Sequence, residues 1–157
     1  MTQEIDSPGK LNLTLRITGT RSDGMHDIAS SFMRLPALEK LTLGIRTEDN
    51  GRKDLLRVHG QRVEGRNILQ AVLEAARKKD PQIPPIMVDI WKKVPPGSGL
   101  GAGSGNAAAL ASWLSREMGI EFTVEELLEI GSDVPFLFHG SDLSFMAGAG
   151  EKPLRRI

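Results

Sequence analysis

Cysteine and tyrosine are both absent from this 157-residue chain, and the remaining aromatics are five phenylalanines and two tryptophans. Without a thiol there is neither a disulfide framework nor a thiolate metal site, which suits a reducing compartment. A nucleic-acid surface wants stacking platforms and a basic field; here 20 basic side chains face 20 acidic ones, so a nucleic-acid partner is not expected. No apolar run approaches the roughly 20 residues of a membrane-spanning helix, and the opening MTQEIDSPGK lacks the charged-then-apolar layout of a secretion signal. The expectation is a soluble cytoplasmic protein with no membrane partner. At 39% hydrophobic and 25% charged residues it has the composition of one ordinary domain with its own core.

Glycine, by contrast, is plentiful, and it is concentrated. The stretch VPPGSGLGAGSGNAAALASWL, from Val94 to Leu114, sets five glycines on alternate residues and then runs into alanines. Glycine is costly in backbone entropy, so such a run is kept where side chains would obstruct. Backbone amides closing on a phosphate at a helix N-terminus are one such place; a flexible linker or a close-packing device are the others. The phosphate-loop fingerprint is not met, because no Gly-Lys-Ser/Thr follows, and from Gly97 the sixth position of a dinucleotide fingerprint is Ala102. A strand and a helix abut the run directly, which favours a phosphate site over a linker.

Around it the pattern alternates. KLNLTLRIT (10–18) has period two, as a half-buried strand does. IASSFMRL (28–35), LTLGI (41–45), DLLRVHG (54–60) and PPIMVDIWKKV (84–94) read as further strands. GRNILQAVLEAARKKD predicts a helix with Ile68, Leu69, Val72, Leu73 and Ala76 on one face. A second helix spans Ser104 to Gly119, a third opens on the capping box Thr123/Glu126, and DLSFMAGAGEKPLRRI holds a last strand. Strands first, then helices interleaved with strands, predict an α+β two-layer domain. The tail stops after a strand, which hints at a truncated chain.

PPGSGLGAGSGNAAA resembles the glycine-rich ATP-binding motif of the GHMP small-molecule kinases. SPGKLNLTLRITGTRSDGMHD and GSDVPFLFHG resemble, within that superfamily, the N-terminal signature and the catalytic-aspartate motif of the 4-diphosphocytidyl-2-C-methyl-D-erythritol kinase family, and MAGAGEKPLRRI the stretch that ends its N-terminal domain. The resemblance implies the fold of ribosomal protein S5 domain 2 and ATP-dependent phosphorylation of a substrate hydroxyl in non-mevalonate isoprenoid synthesis. The implied catalytic pair is Lys10 and Asp133, and the chemistry has its own logic. Phosphoryl transfer wants an acceptor for the hydroxyl proton and positive charge near the phosphoryl oxygens.

The resemblance further implies that Asn12, Met25 and His26 face the substrate. The family has at position 25 a tyrosine that stacks on cytosine; Met25 offers a polarizable sulfur and no aromatic platform. On the nucleotide side it implies Pro96, Gly97, Gly99, Leu100, Gly101, Gly103, Ser104 and Asn106 at the phosphates, and Asn67 and Lys92 near the adenine. Asn67 also fits a helix N-cap. His59, His139 and Trp113 read as structural, and Trp91 lies near the glycine loop. No metal cluster is visible in the sequence, and Mg²⁺ would arrive with ATP, held by phosphates and water. Nothing in the chain resembles the family's second domain, so residues 1–157 read as the N-terminal domain only and are expected to be weakly active or inactive alone. Two alternatives stay open: a GHMP-type kinase for another small alcohol, and a non-catalytic nucleotide- or RNA-binding module of the same fold.

Overall fold

The computed structural model describes residues 1–20, 22, 24, 26–46, 53–61, 65 and 67–148, together with the backbone of 152–156. Two long antiparallel strands, β1 (Thr2–Thr20) and β2 (His26–Ile45), form the frame. β3 (Leu55–Gly60) runs parallel to β4 (Ile86–Lys92), and β5 (Leu143–Gly148) is antiparallel to β6 (Lys152–Arg156). The sheet order is β3-β4-β2-β5-β6, with β1 also paired to β2. Four helices complete the chain: α1 (Ile68–Lys79), α2 (Ala102–Met118), α3 (Val124–Ile130) and α4 (Val134–His139).

The predicted α+β layering is present. Along β4, Ile86, Val88 and Ile90 are buried under the helices while Trp91 stands in solvent, the period-two division of a sheet covered on one face. α1 contributes Leu69, Val72, Leu73 and Ala76 to the same core, as its spacing predicts. Each such aliphatic side chain stabilises the fold by about 1.5–3 kcal/mol on full burial. α2 carries Ala107, Ala108, Ala109 and Ala111, all buried, so its backbone can approach the sheet closely. Trp113 is buried and donates its indole N–H to Gln3 Oε1 at 3.2 Å, a core residue as expected.

Three expectations need correction. Residues 28–35 and 41–45 belong to one strand, because Pro36, which has no N–H to give a ladder, falls where the register slips. Gly9 faces Leu35 and Ser7 faces Glu39, so the irregularity opposite Pro8 absorbs the proline. Second, α2 begins at Ala102, two residues before Ser104, capped by Gly101 in a left-handed conformation at φ +63°. Third, the apolar row of β1 is not the buried one. Leu11, Leu13, Leu15 and Ile17 are exposed, because the helical layer covers β1 only over Ser7–Lys10. α4, a six-residue helix within GSDVPFLFHG, is an element the sequence pattern does not announce.

Candidate active site

The glycines of the loop serve three separate purposes. Gly97, Gly99 and Gly101 have φ of 78°, 78° and 63°, a region that side chains rarely adopt. Gly103 is ordinary helix, but a Cβ there would meet nothing within 4 Å, so its bare backbone borders open space. Gly105 is a packing glycine: a Cβ would lie 1.6 Å from the Pro8 carbonyl oxygen of β1. The alternation is therefore a turn, an open wall and a close contact placed in succession.

The start of α2 is unsatisfied by its own sequence. Gly101 has no side chain to cap it and the first turn holds no acid. The first helical bond runs from the Gly105 N–H to the Gly101 carbonyl at 2.8 Å, which leaves the amides of residues 102–104 without intrahelical partners. They border a cavity of about 390 Å³ lined by the loop, by the start of α1 and by β4. Nine of the ten residues implied for ATP line it: Asn67, Lys92, Pro96, Gly97, Gly99, Gly101, Gly103, Ser104 and Asn106. Leu100 does not; its carbonyl accepts the Lys10 backbone N–H at 2.8 Å, tying loop to β1. Val58, Ile68, Leu69 and Ile90 give the cavity an apolar end that the sequence did not mark.

Three of those nine have side chains already engaged. Lys92 is buried and its Nζ lies 2.8 Å from Glu39 Oε2. Asn106, 2% exposed, donates its Nδ2 to the same oxygen at 2.8 Å and accepts from Ser7 Oγ at 2.6 Å. Asn67 caps α1, its Oδ1 accepting the Leu69 N–H at 2.9 Å, so it serves the helix while bordering the cavity. Glu39 itself is a residue sequence reasoning missed. Burial works against its charge, yet hydrogen bonds from Lys92, the Val94 amide and Asn106 hold its carboxyl below the usual carboxylate range.

At the other end of the loop, Lys10 and Asp133 come together from 123 residues apart in sequence, Nζ to Oδ2 3.7 Å. Lys10 Nζ donates to Asn12 Oδ1 at 2.5 Å and lies 4.8 Å from the centre of the Phe32 ring. Asn12 in turn donates to Ser30 Oγ at 3.0 Å, so its amide orients the lysine. Asp133 sits at the N-cap position of α4 but makes no capping hydrogen bond, which leaves its carboxylate available. A Cβ on Gly101 would fall 3.1 Å from Lys10 Cγ and 3.4 Å from Asp133 Oδ2, so the loop's last glycine touches both partners.

The structure does not bring His26 into this cluster. It is exposed at the far end of the β1–β2 hairpin, 3.2 Å from Thr20 Oγ1, and Met25 lies outside the described residues. His59 is not a core residue; it stacks on the exposed Trp91 at 5.3 Å and meets Asp89 Oδ1 at 3.2 Å. His139 stands edge-on to Phe138, ring centres 5.6 Å apart. Among the described residues no group of three His, Asp or Glu side chains is placed to hold a metal ion, and no helix is long and apolar enough to cross a membrane.

Comparison with known proteins bears on this geometry. The family profile described as GHMP kinases N terminal domain matches residues 67–149, more than half of the chain. A curated relative from Arabidopsis thaliana, named 4-diphosphocytidyl-2-C-methyl-D-erythritol kinase, chloroplastic, is 38% identical over 92% of this chain and 39% of its own length. The protein named 4-diphosphocytidyl-2-C-methyl-D-erythritol kinase in Neisseria meningitidis serogroup C is 35% identical over 96% of this chain and 54% of its own. A solved structure, the crystal structure of 4-(cytidine 5'-diphospho)-2C-methyl-D-erythritol kinase, superposes with a TM-score of 0.80 at 24% identity, covering 99% of this chain and 55% of that one. The chain thus spans about two fifths to just over half the length of the relatives it matches.

Proposed function

The chain belongs to the GHMP kinases, and on that premise we propose that it is the nucleotide-binding half of an ATP-dependent kinase whose acceptor is a hydroxyl of 4-diphosphocytidyl-2-C-methyl-D-erythritol. The observation that carries the reading is the meeting at Gly101 of an open, amide-lined loop with the Lys10–Asp133 pair.

The residues present suit a triphosphate. Amides 102–104 are unpaired within α2, a Cβ at Gly97, Gly99 or Gly103 would enter empty space, and the helix dipole favours negative charge at this end. The apolar end of the cavity, with Val58, Ile68, Leu69 and Ile90, suits a purine. ATP supplies the phosphoryl group, and Mg²⁺ is expected on its phosphates. The chain's own part is to bind and position: the loop and α2 hold the phosphates, Asn12 orients Lys10, and Lys10 adds positive charge beside the transfer. Asp133 accepts the proton of the attacking hydroxyl, a step worth roughly 10²–10⁴ in rate. By the family resemblance, His26 and Met25 would meet the cytidine end of the substrate. Cytoplasmic location belongs to the same proposal.

The test is ADP release from Mg-ATP with and without the cytidine-bearing alcohol, with Asp133→Asn as the blank. Release that needs this alcohol and vanishes in the blank supports the reading. Release driven equally by other small alcohols would move the substrate elsewhere. Mg-ATP binding without release is what this half is expected to give alone; the same outcome in the two-domain enzyme would reduce the chain to a nucleotide-binding domain.

A further inference from the structure

Glu39 is one of the most deeply buried acids of the molecule, at 2% exposure, and all its acceptor capacity is spent on one task. Oε1 accepts the backbone N–H of Lys93 at 2.8 Å and of Val94 at 2.9 Å. Oε2 accepts Lys92 Nζ and Asn106 Nδ2, each at 2.8 Å. The first two partners are the residues where β4 ends and the glycine loop begins. The last is on α2, just past the loop's other end. One carboxylate on β2 therefore grips both sides of the loop mouth, and Ser7 of β1 fixes the Asn106 amide from behind at 2.6 Å.

Between those grips the loop has little of its own to hold it. Its internal bonds are Ser98 N–H to Pro95 O at 3.3 Å and Leu100 N–H to Ser98 Oγ at 3.4 Å. Gly97 and Gly99 have no neighbour within 4 Å of a would-be Cβ. Apart from the Leu100 carbonyl, which accepts the Lys10 backbone N–H at 2.8 Å, the loop takes its position from its two ends, and Glu39 grips both. We propose that Glu39 is a positioning residue of the nucleotide site, setting the distance between the glycine loop and the N-terminus of α2. This rests on the nucleotide-binding reading above.

The four partners of Glu39 are all donors, which makes the residue type specific. A glutamine of the same size would turn an NH₂ toward two of them, whereas aspartate keeps the charge on a shorter reach. The test uses Glu39→Gln and Glu39→Asp in two measurements. The first is amide hydrogen exchange in the free protein, where the Lys93 and Val94 amides report the grip itself and those of Leu41 and Leu43 report the sheet. The second is Mg-ATP affinity measured well below each variant's thermal midpoint. In Glu39→Gln, exchange at Lys93 and Val94 is expected to quicken at least tenfold with Leu41 and Leu43 unchanged, and the Mg-ATP Kd to rise tenfold or more. Glu39→Asp is expected to recover part of both. A variant that loses thermal stability but keeps both amides protected and affinity within twofold would overturn the proposal, leaving Glu39 as a packing group. Should Glu39→Gln not fold, Glu39→Asp is judged by the same two criteria, with a smaller expected change. A wild-type chain that binds no Mg-ATP would defeat the nucleotide reading, while the exchange data alone would still judge the grip.

Discussion

Two lysine–carboxylate pairs flank the same loop, and they are built to opposite specifications. Lys92 and Glu39 meet at 2.8 Å with side chains 8% and 0% exposed, and every acceptor site of the carboxylate is filled. Lys10 and Asp133 stand 3.7 Å apart, 11% and 20% exposed, in ionic contact without a direct hydrogen bond. A saturated buried carboxylate has no acceptor left for a ligand, so the work of Glu39 is structural. An open pair, held in place by Asn12 and by the backbone bond from Lys10 to Leu100, keeps an acceptor free for an incoming proton. Residue type does not separate the proposed catalytic charge from the architectural one in this domain; the degree of hydrogen-bond saturation does.

Substitutions at the two pairs should therefore fail in different assays. In the two-domain enzyme, Asp133→Asn is expected to lower substrate-dependent ADP release by roughly 10²–10⁴, with Mg-ATP affinity and thermal midpoint close to wild type. Retained turnover would strip Asp133 of its role as base. Lys92→Met should do the reverse to the fold: it leaves Glu39 buried and uncompensated, at a cost of about 3–5 kcal/mol. Denaturant unfolding measures this directly. A loss below 1 kcal/mol would mean that the saturated pair is no more structural than the open one.

The glycines sharpen the same contrast at smaller scale. Gly105→Ala drives a methyl into the Pro8 carbonyl and should cost about 1–3 kcal/mol of stability by overpacking α2 against β1. Gly103→Ala meets open space within a helix, so it should raise stability by about 0.5–1 kcal/mol. Its methyl nevertheless borders the cavity, and Mg-ATP affinity should fall. Two Gly→Ala changes two residues apart, with stability moving in opposite directions, form the measurement. The same sign for both would remove the distinction between packing glycine and open wall.

What the sequence showed in advance was whatever is local. The Asn67 cap, the Thr123/Glu126 capping box and the Gly119 stop of α2 depend on neighbours within a few positions, and the structure has all three. The joining of β2 across Pro36 was hidden because the proline is tolerated only through a slip in a distant partner, β1. The exposed row Leu11–Ile17 was misplaced for a related reason, since alternation marks two faces of a strand but not how far along it the helices reach. Glu39, in PALEK, was missed because its partners Lys92, Lys93, Val94 and Asn106 are 53 to 67 residues away. One signal was available: counting back in twos from the buried Leu43 and Leu41 lands on Glu39, an acid on the inward face. The Lys10–Asp133 pairing was legible only through motif resemblance, because nothing periodic links two single residues so far apart.

The smallest effect expected is also the most specific to the saturated pair, and it appears in acid. Glu39 has a folded-state pKa below its ordinary value of 4.5, because its hydrogen bonds outweigh the cost of burial. A depressed carboxyl pKa contributes stability that is present above the unfolded value and is lost as pH falls through the folded one. The stability gap between wild type and Glu39→Gln should thus be flat from neutral pH down to about 5, and close progressively below about 4.5 as the wild-type carboxyl takes up its proton. Thermal or urea unfolding of the two proteins across that range measures the gap. If it stayed constant down to pH 3, the anion would not be what the four donors stabilise. Glu39 would then hold the loop by shape rather than by charge, and the contrast between the two pairs would reduce to burial alone.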